Sequence, residues 1–413
     1  MKKTAWIVPS VACLSLAWAL PARAQSSVTL YGVIDAGFNY TTNTQTGRNG
    51  HGLTGASQFA MEDGATGAIS GSRWGLRLNE DLGNGMAAIA TLENGFSYQT
   101  GQLGQGGDEF GRQAFLGMKT REGTITLGRQ YDSVVDYVQP FLSAAQWGGY
   151  IADHPGDLDN LDNTHRANNS IKYASPDIDG LKFGGLYSLG GVAGATGRNQ
   201  IFSLGASYYR GPLSLAVAYL NARNPNYSFF GSNPGTGTLP TSNNMGSLGS
   251  ATSSESNPVF GGYASASTYQ VVAAGAAYQI GASTVGFNYT NTQFRGLGSN
   301  DGANPFGYAG IGNLNDVEVN YKYQFTPTLM AGVEYNYLRS VGASGRVDAD
   351  YNLFAIGTDY MLSKRTDVYL VGVYEHASGT DSFGQPAVAA ITGQNPSASD
   401  QQYGVRLSFR HRF

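Results

Sequence analysis

The sequence predicts an all-β protein, a sixteen-stranded antiparallel barrel that crosses a membrane with strands. Three observations predict it. The last eleven residues, Tyr403 to Phe413, alternate strictly: Tyr403, Val405, Leu407, Phe409, His411 and Phe413 share one face, and Gly404, Arg406, Ser408, Arg410 and Arg412 the other. Lipid outside and water inside suit such a strand, with the terminal aromatic ring at the interface. Fifteen further segments alternate in the same way, and their connections are short and long in turn. Finally, nothing beyond residue 24 approaches the roughly 18 consecutive apolar residues of a transmembrane helix.

The N-terminus reads as a secretory signal peptide, residues 1–24. Lys2 and Lys3 are its positive start, Ala5 to Leu20 its apolar run, and Ala22-Arg23-Ala24 its small-residue cleavage site. Residues 25–413 form the barrel domain. The only cysteine is Cys13, so the exported chain has no disulfide and no thiol to bind a metal. Removing Lys2, Lys3 and Arg23 takes the whole-chain charge of −4 to −7. That acidic balance argues against a nucleic-acid partner.

The first strand is Val28 to Tyr40, with Val28, Leu30, Ile34 and Phe38 against Thr29, Tyr31, Asp35 and Asn39. The others are expected near 72–82, 86–98, 110–120, 123–130, 169–176, 181–189, 200–210, 212–223, 268–280, 282–294, 316–326, 328–339, 349–362, 366–378 and 401–413. Alternation is cleanest at Val317, Val319, Tyr321, Tyr323 and Phe325, against Glu318, Asn320, Lys322 and Gln324. It is weakest around 86–98 and 268–280, where small residues occupy both faces.

Short connections fall at Gly83-Asn84-Gly85, Thr120 to Glu122, Asp177 to Gly180, Gly211, Gly281, Pro327 and Ser363 to Arg365. These residues suit tight turns. Long connections are expected at 41–71, 99–109, 131–168, 190–199, 224–267, 295–315, 340–348 and 379–400. Strict alternation places all short turns at one end, as in an outer-membrane barrel. An even strand number pairs the last strand with the first and removes the edges that lipid cannot satisfy. Sixteen strands enclose an aqueous lumen.

Val28-Thr29-Leu30-Tyr31-Gly32-Val33-Ile34-Asp35-Ala36-Gly37 resembles the opening strand of general diffusion porins of Gram-negative bacteria, especially the β-proteobacterial type. So do Ser72-Arg73-Trp74-Gly75-Leu76-Arg77 with Glu80-Asp81-Leu82-Gly83-Asn84-Gly85, Leu127-Gly128-Arg129-Gln130-Tyr131, and the terminal Phe413. The resemblance spans essentially all of residues 25–413. It implies a homotrimer in the outer membrane, among lipid and lipopolysaccharide, with the third extracellular loop folded into each barrel. It also implies that Phe413 is the signal read by the barrel-assembly machinery, and that ions and small hydrophilic solutes diffuse passively through the channel.

Residues 131–168 are that loop, and they do not read as disordered. Val134, Val135, Tyr137, Val138, Phe141, Leu142, Trp147, Tyr150 and Ile151 need a surface to pack on, and the inner wall is available. The loop also carries Asp132, Asp136, Asp153, Asp157, Asp159 and Asp162. Opposite, by parity or by resemblance, stand Arg73, Arg77, Arg129 and Arg166. Arg77 lies deeper than Arg73 on the same face. Asp132 and Asp136, at the start of the loop, are the expected acidic side of a constriction. Opposed charges there would set a transverse field and bias ion passage. The same residues also read as a solvated loop with ordinary surface arginines, and Asp157, Asp159 and Asp162 read equally as turn formers. No twelve-residue calcium loop is present.

No catalytic constellation appears, and no cofactor motif. His51, His154, His165, His376 and His411 are scattered, without a His-Glu-x-x-His pair, a nucleophile elbow or a P-loop. Besides the general porin, two functions stay open. One is a substrate-selective channel for a sugar, phosphate or organic anion, which would be expected to show an aromatic track along the lumen. The other is a barrel acting as adhesin or surface receptor.

Overall fold

A backbone that crosses hydrocarbon must hydrogen-bond within the protein and leave no open edge. The computed structural model describes residues 26–63, 67–231, 242–299 and 302–413, and its sheet closes on itself. The strands are β1 (Ser27–Asn49), β2 (Gly52–Asp63), β3 (Arg73–Gly83), β4 (Met86–Gly95), β5 (Gln113–Lys119), β6 (Thr124–Gln130), β7 (Ala167–Ala174), β8 (Leu181–Ser188) and β9 (Ile201–Arg210). They continue as β10 (Leu213–Arg223), β11 (Thr268–Ile280), β12 (Ser283–Leu297), β13 (Gly310–Thr326), β14 (Leu329–Gly342), β15 (Val347–Met361), β16 (Thr366–Thr380) and β17 (Gln401–Arg412). The barrel closes between β1 and β17, in register from Val33 opposite Arg412 to Thr41 opposite Gly404.

Seventeen strands make sixteen wall positions, because β2 and β3 share one. The lower part of β1, Ser27 to Val33, pairs with β3, and the part from Ala36 upward pairs with β2. The described residues between them turn toward the lumen. The Ala68 carbonyl accepts from the Tyr150 amide, and the Ile69 amide donates to the Tyr369 hydroxyl at 3.1 Å. The proposed signal peptide, 1–24, lies outside the described residues.

Strand parity separates lipid from lumen as the pattern requires. On β17, Tyr403, Val405, Leu407 and Phe409 are each 43–51% exposed, whereas Arg406, Ser408 and Arg410 are buried. The inward side chains knit the closure. Asp35 accepts from the Ser408 hydroxyl at 2.6 Å and the Tyr369 hydroxyl at 2.7 Å, with the Arg406 guanidinium at 3.6 Å. Phe413 exchanges two backbone hydrogen bonds with Gly32, and its ring covers that glycine so closely that a Cβ there would lie 2.3 Å from the ring.

Most strands fall within a few residues of the sequence expectation. The exceptions lie at the long-loop end. The expected loop 41–71 is in its first part a hairpin, since β1 runs on to Asn49 and β2 returns. β13 begins at Gly310, and β14 and β15 meet across a tight turn at 343–346 where a longer loop was expected. Above the lipid the outer face no longer needs apolar residues, so alternation fades while backbone pairing continues. Asn291, Asn313 and Asn315 bond across β12 and β13 in that region.

The loop 131–168 seats on glycines. Tyr137 lies against Gly184 and Gly205, Phe141 against Gly275, and Trp147 against Gly332 and Gly357. These glycines sit on β8, β9, β11, β14 and β15 and leave shallow windows for the rings. Trp147 is the tightest fit, because a Cβ on Gly332 would sit 2.3 Å from its indole. Gly332→Val therefore unseats the ring at a cost of about 1–3 kcal/mol, the usual penalty of overpacking. Of the four tryptophans only Trp74 and Trp147 follow residue 24, so a Trp74→Phe background makes Trp147 the reporter. Acrylamide quenching should rise in Gly332→Val while the heat-modifiable barrel band persists.

Candidate functional site: arginines facing an anchored loop

Four arginines come together on neighbouring strands. Arg73 opens β3, Arg112 precedes β5, Arg129 ends β6 with Gln130, and Arg166 precedes β7. Glu93 of β4 is the carboxylate among them, 2.9 Å from Arg112 and 3.8 Å from Arg73, and it accepts from the Tyr31 hydroxyl at 2.8 Å. Arg112 also donates to the Tyr131 hydroxyl at 2.9 Å. Arg166 lies 5.3 Å from the centre of the Tyr131 ring and donates to Asn163 at 2.9 Å and the Thr164 carbonyl at 2.8 Å. Arg77 stands apart, stacked 3.8 Å over Tyr31.

Arg129 reaches this group through a bulge. Parity with the exposed Ile125 and Leu127 would turn it outward. Gly128 has φ +142°, a conformation that L side chains rarely adopt, and the pairing with β7 slips between Gly128 and Gln130. Bulges re-aim side chains in this way. Arg129 then donates to the Gly111 carbonyl at 2.8 Å and to Asn168 at 2.5 Å. Arg112 was not singled out from the sequence. It falls inside the expected strand 110–120, where parity with the exposed Leu116 and Met118 would turn it outward, but the strand begins only at Gln113 and leaves Arg112 free to point inward.

The loop carboxylates do other work. Asp132 caps a short helix α1 (Ser133–Tyr137), accepting from the Val134 amide at 2.7 Å and from Asn160 at 2.8 Å. Asp136 pairs with Lys172 of β7. Neither touches the arginines. Asp157 accepts from the Asp162 and Thr164 amides, each at 3.0 Å, and so folds the end of the loop. Asp162 is the loop carboxyl that senses the Arg112 and Arg166 charges. Burial pushes Asp132 up to about 6 and Asp157 up to about 7, and raises Asp153 and Asp162 well above the carboxylate range. Burial, with repulsion from Arg166 and Arg129, pushes His165 down to about 3.

A buried histidine fastens the loop to the far wall. His154 lies 2.7 Å from Asp159 through Nδ1, while Nε2 is 3.2 Å from Asp316 and 3.4 Å from Glu318 on β13. Thr290 also donates to Asp159 at 2.6 Å. Burial disfavours the imidazolium, but the Asp316 and Asp159 carboxylates outweigh it and hold the His154 pKa well above its ordinary value. Burial would raise Asp159, but the His154 charge holds it low. Among the described residues no group of three or more His, Cys, Asp or Glu is arranged to hold a metal ion.

The sign of the pH dependence follows. Asp132 and Asp157 bind protons in the seated loop that a released loop would give up. Their contribution to seating is full at acid pH and is lost as pH rises from about 4 to about 7. His154 acts in the same sense: its contribution is present below the ordinary histidine value and is lost as pH rises through the raised one. Removing one partner of a buried ion cluster costs about 3–5 kcal/mol. His154→Gln should therefore expose Trp147 to acrylamide at pH 7, with partial recovery at pH 5, where Asp132 and Asp157 of the loop hold their protons, read in the Trp74→Phe background.

Known proteins place this barrel. The family described as Gram-negative porin matches residues 10–380. An outer membrane porin protein of Bordetella pertussis is 30% identical over 404 residues, covering 91% of this chain and 94% of that protein. Outer membrane porin protein 32 of Delftia acidovorans is 26% identical, covering 98% and 99%. Among solved structures, an anion-selective porin from Comamonas acidovorans superposes with a TM-score of 0.68 at 20% identity, over 94% of this chain and all of that one. A trimer form of OmpT from Vibrio cholerae gives 0.61 at 16% identity, over 94% and 99%. Closed sheet and matching relatives agree: the chain belongs to the Gram-negative porin family, as an outer-membrane channel for solute diffusion and not an enzyme.

Proposed function

We propose that this porin is a general diffusion channel with an anion preference, set where Arg73, Arg112, Arg129 and Arg166 face the loop 131–168. The observation that carries this reading is the charge balance of the wall: four guanidiniums stand against two carboxylates, Glu93 beside Arg73 and Arg112 and Asp108 beside Arg129. Asp162, the loop carboxyl that senses the Arg112 and Arg166 charges, is pushed by burial toward its neutral form, which weakens it as a counter-charge. Asp132 and Asp136 serve as anchors of the loop through the helix cap and Lys172. Arg77 borders the passage further along β3. The solved porin from Comamonas, described as anion-selective, supports the same sign.

Replacing Arg73 and Arg129 with serine removes two positive charges from a passage poor in water, where charges act more strongly than in bulk. Conductance should change about twofold or less, because the loop still fills the opening. The anion-to-cation permeability ratio should fall clearly, most at low salt where screening is weak. A reversal potential equal to wild type at every ionic strength would remove the arginines from the selectivity filter.

The working unit in this reading is a homotrimer, exported by a cleaved signal peptide at 1–24 and seated among lipid and lipopolysaccharide. Leu30 and Ile34 of β1 and Leu407 and Phe409 of β17 form an exposed apolar face across the closure, suited to a second copy. Phe413 is the signal for the barrel-assembly machinery. Deleting Phe413 should reduce the SDS-resistant, heat-dissociable trimer band in outer membranes severalfold. Wild-type yield from the deletion would place the signal elsewhere.

A further inference from the structure

Beside the arginines lies a cavity of about 250 Å³ that conduction of simple ions does not require. Arg129 and Arg166 form its cationic side, and His165, Phe229 and Phe230 its aromatic side. Gln105, Asp108 and Thr164 complete the rim. Both guanidiniums are held by the hydrogen bonds described above, so they are positioned before any ligand arrives. The rings are fixed as well. His165 is 4.6 Å from Phe230 edge to face, Phe229 and Phe230 meet at 5.5 Å and 89°, and Tyr269 and Phe260 pack behind.

The charge pattern selects among ligands. His165 is held neutral by burial and by its two arginine neighbours, so it contributes a ring face and no charge. Asp108, an exposed carboxylate, stands against two arginines, which leaves the cavity net cationic. Phosphate or chloride would use the guanidiniums and leave the rings unused. A sugar would meet two guanidiniums that demand an anion. A carboxylate on a flat ring uses both sides: the guanidiniums take it in bidentate fashion and the ring lies on apolar faces. The volume lies just below the usual range for small-molecule sites, which limits the ligand to about one ring.

From this geometry we propose that the cavity is a binding subsite for single-ring aromatic carboxylates on their way through the channel. It deepens the anion-preferring reading above and rests on it. The test uses the trimer in planar bilayers, with benzoate and acetate added separately to a chloride solution. Benzoate should interrupt the chloride current at about tenfold lower concentration than acetate, the scale expected for one added aromatic contact. Phe230→Leu keeps an apolar side chain and removes the ring, and it should bring the benzoate-to-acetate ratio close to one. Arg129→Ser should weaken both anions together. Equal action of benzoate and acetate on wild type, or an unchanged ratio in Phe230→Leu, overturns the subsite. The reversal potential of Arg129→Ser in a chloride gradient, recorded on the same bilayers, reports on the anion preference separately.

Discussion

Each backbone amide that crosses hydrocarbon must find its partner within the protein, because lipid supplies none and an unmet group costs several kcal/mol. For a chain of short alternating strands the only complete solution is a sheet with no edge. Closure between β1 and β17 is therefore the contact on which the other features rest. It is also where the chain concentrates polar links: Asp35, Tyr369, Arg406 and Ser408 on the inside, and Phe413 over Gly32 at the end.

Closure creates a second problem. A wide barrel has no packed interior, and inward side chains face water unless something fills the space. The loop 131–168 fills part of it and does so with rings. Tyr137, Phe141 and Trp147 bring the apolar surface, and the wall receives them with glycines in place of complementary large residues. A glycine window holds a ring in one position, since any larger residue would displace it. The polar links from His154, Ser143 and Asp132 then fix the direction of the loop. Ser143, for example, donates its amide to Glu318 at 2.9 Å.

The charges follow from that placement. Asp132, Asp136, Asp157 and Asp159 of the loop are committed to a helix cap, Lys172, a turn and His154, and none of them pairs with the wall arginines. Their mutual repulsion is balanced locally by Glu93, by the Tyr131 ring and by backbone carbonyls. These partners also hold the guanidiniums in position.

The sequence by itself determined the barrel, its sixteen wall positions and which residues of most strands meet lipid, because period-two alternation is imposed residue by residue by the two solvents. It also marked the loop 131–168 and named Arg73, Arg129 and Arg166 through resemblance. What it did not hold was the partner of each charge. Asp132 and Asp136 look like an acidic wall in sequence, yet one caps a helix and the other pairs with Lys172, since both outcomes have the same local composition. Arg112 shared the lipid-side parity of Leu116 and Met118 in an expected strand that begins one residue later, Arg129 depended on a one-residue slip at Gly128, and β2 lay where apolar alternation had already ended. Only the tertiary structure decided these points. They depend on contacts between segments far apart in the chain, such as His154 with Glu318 and Trp147 with Gly332, and no local pattern encodes them.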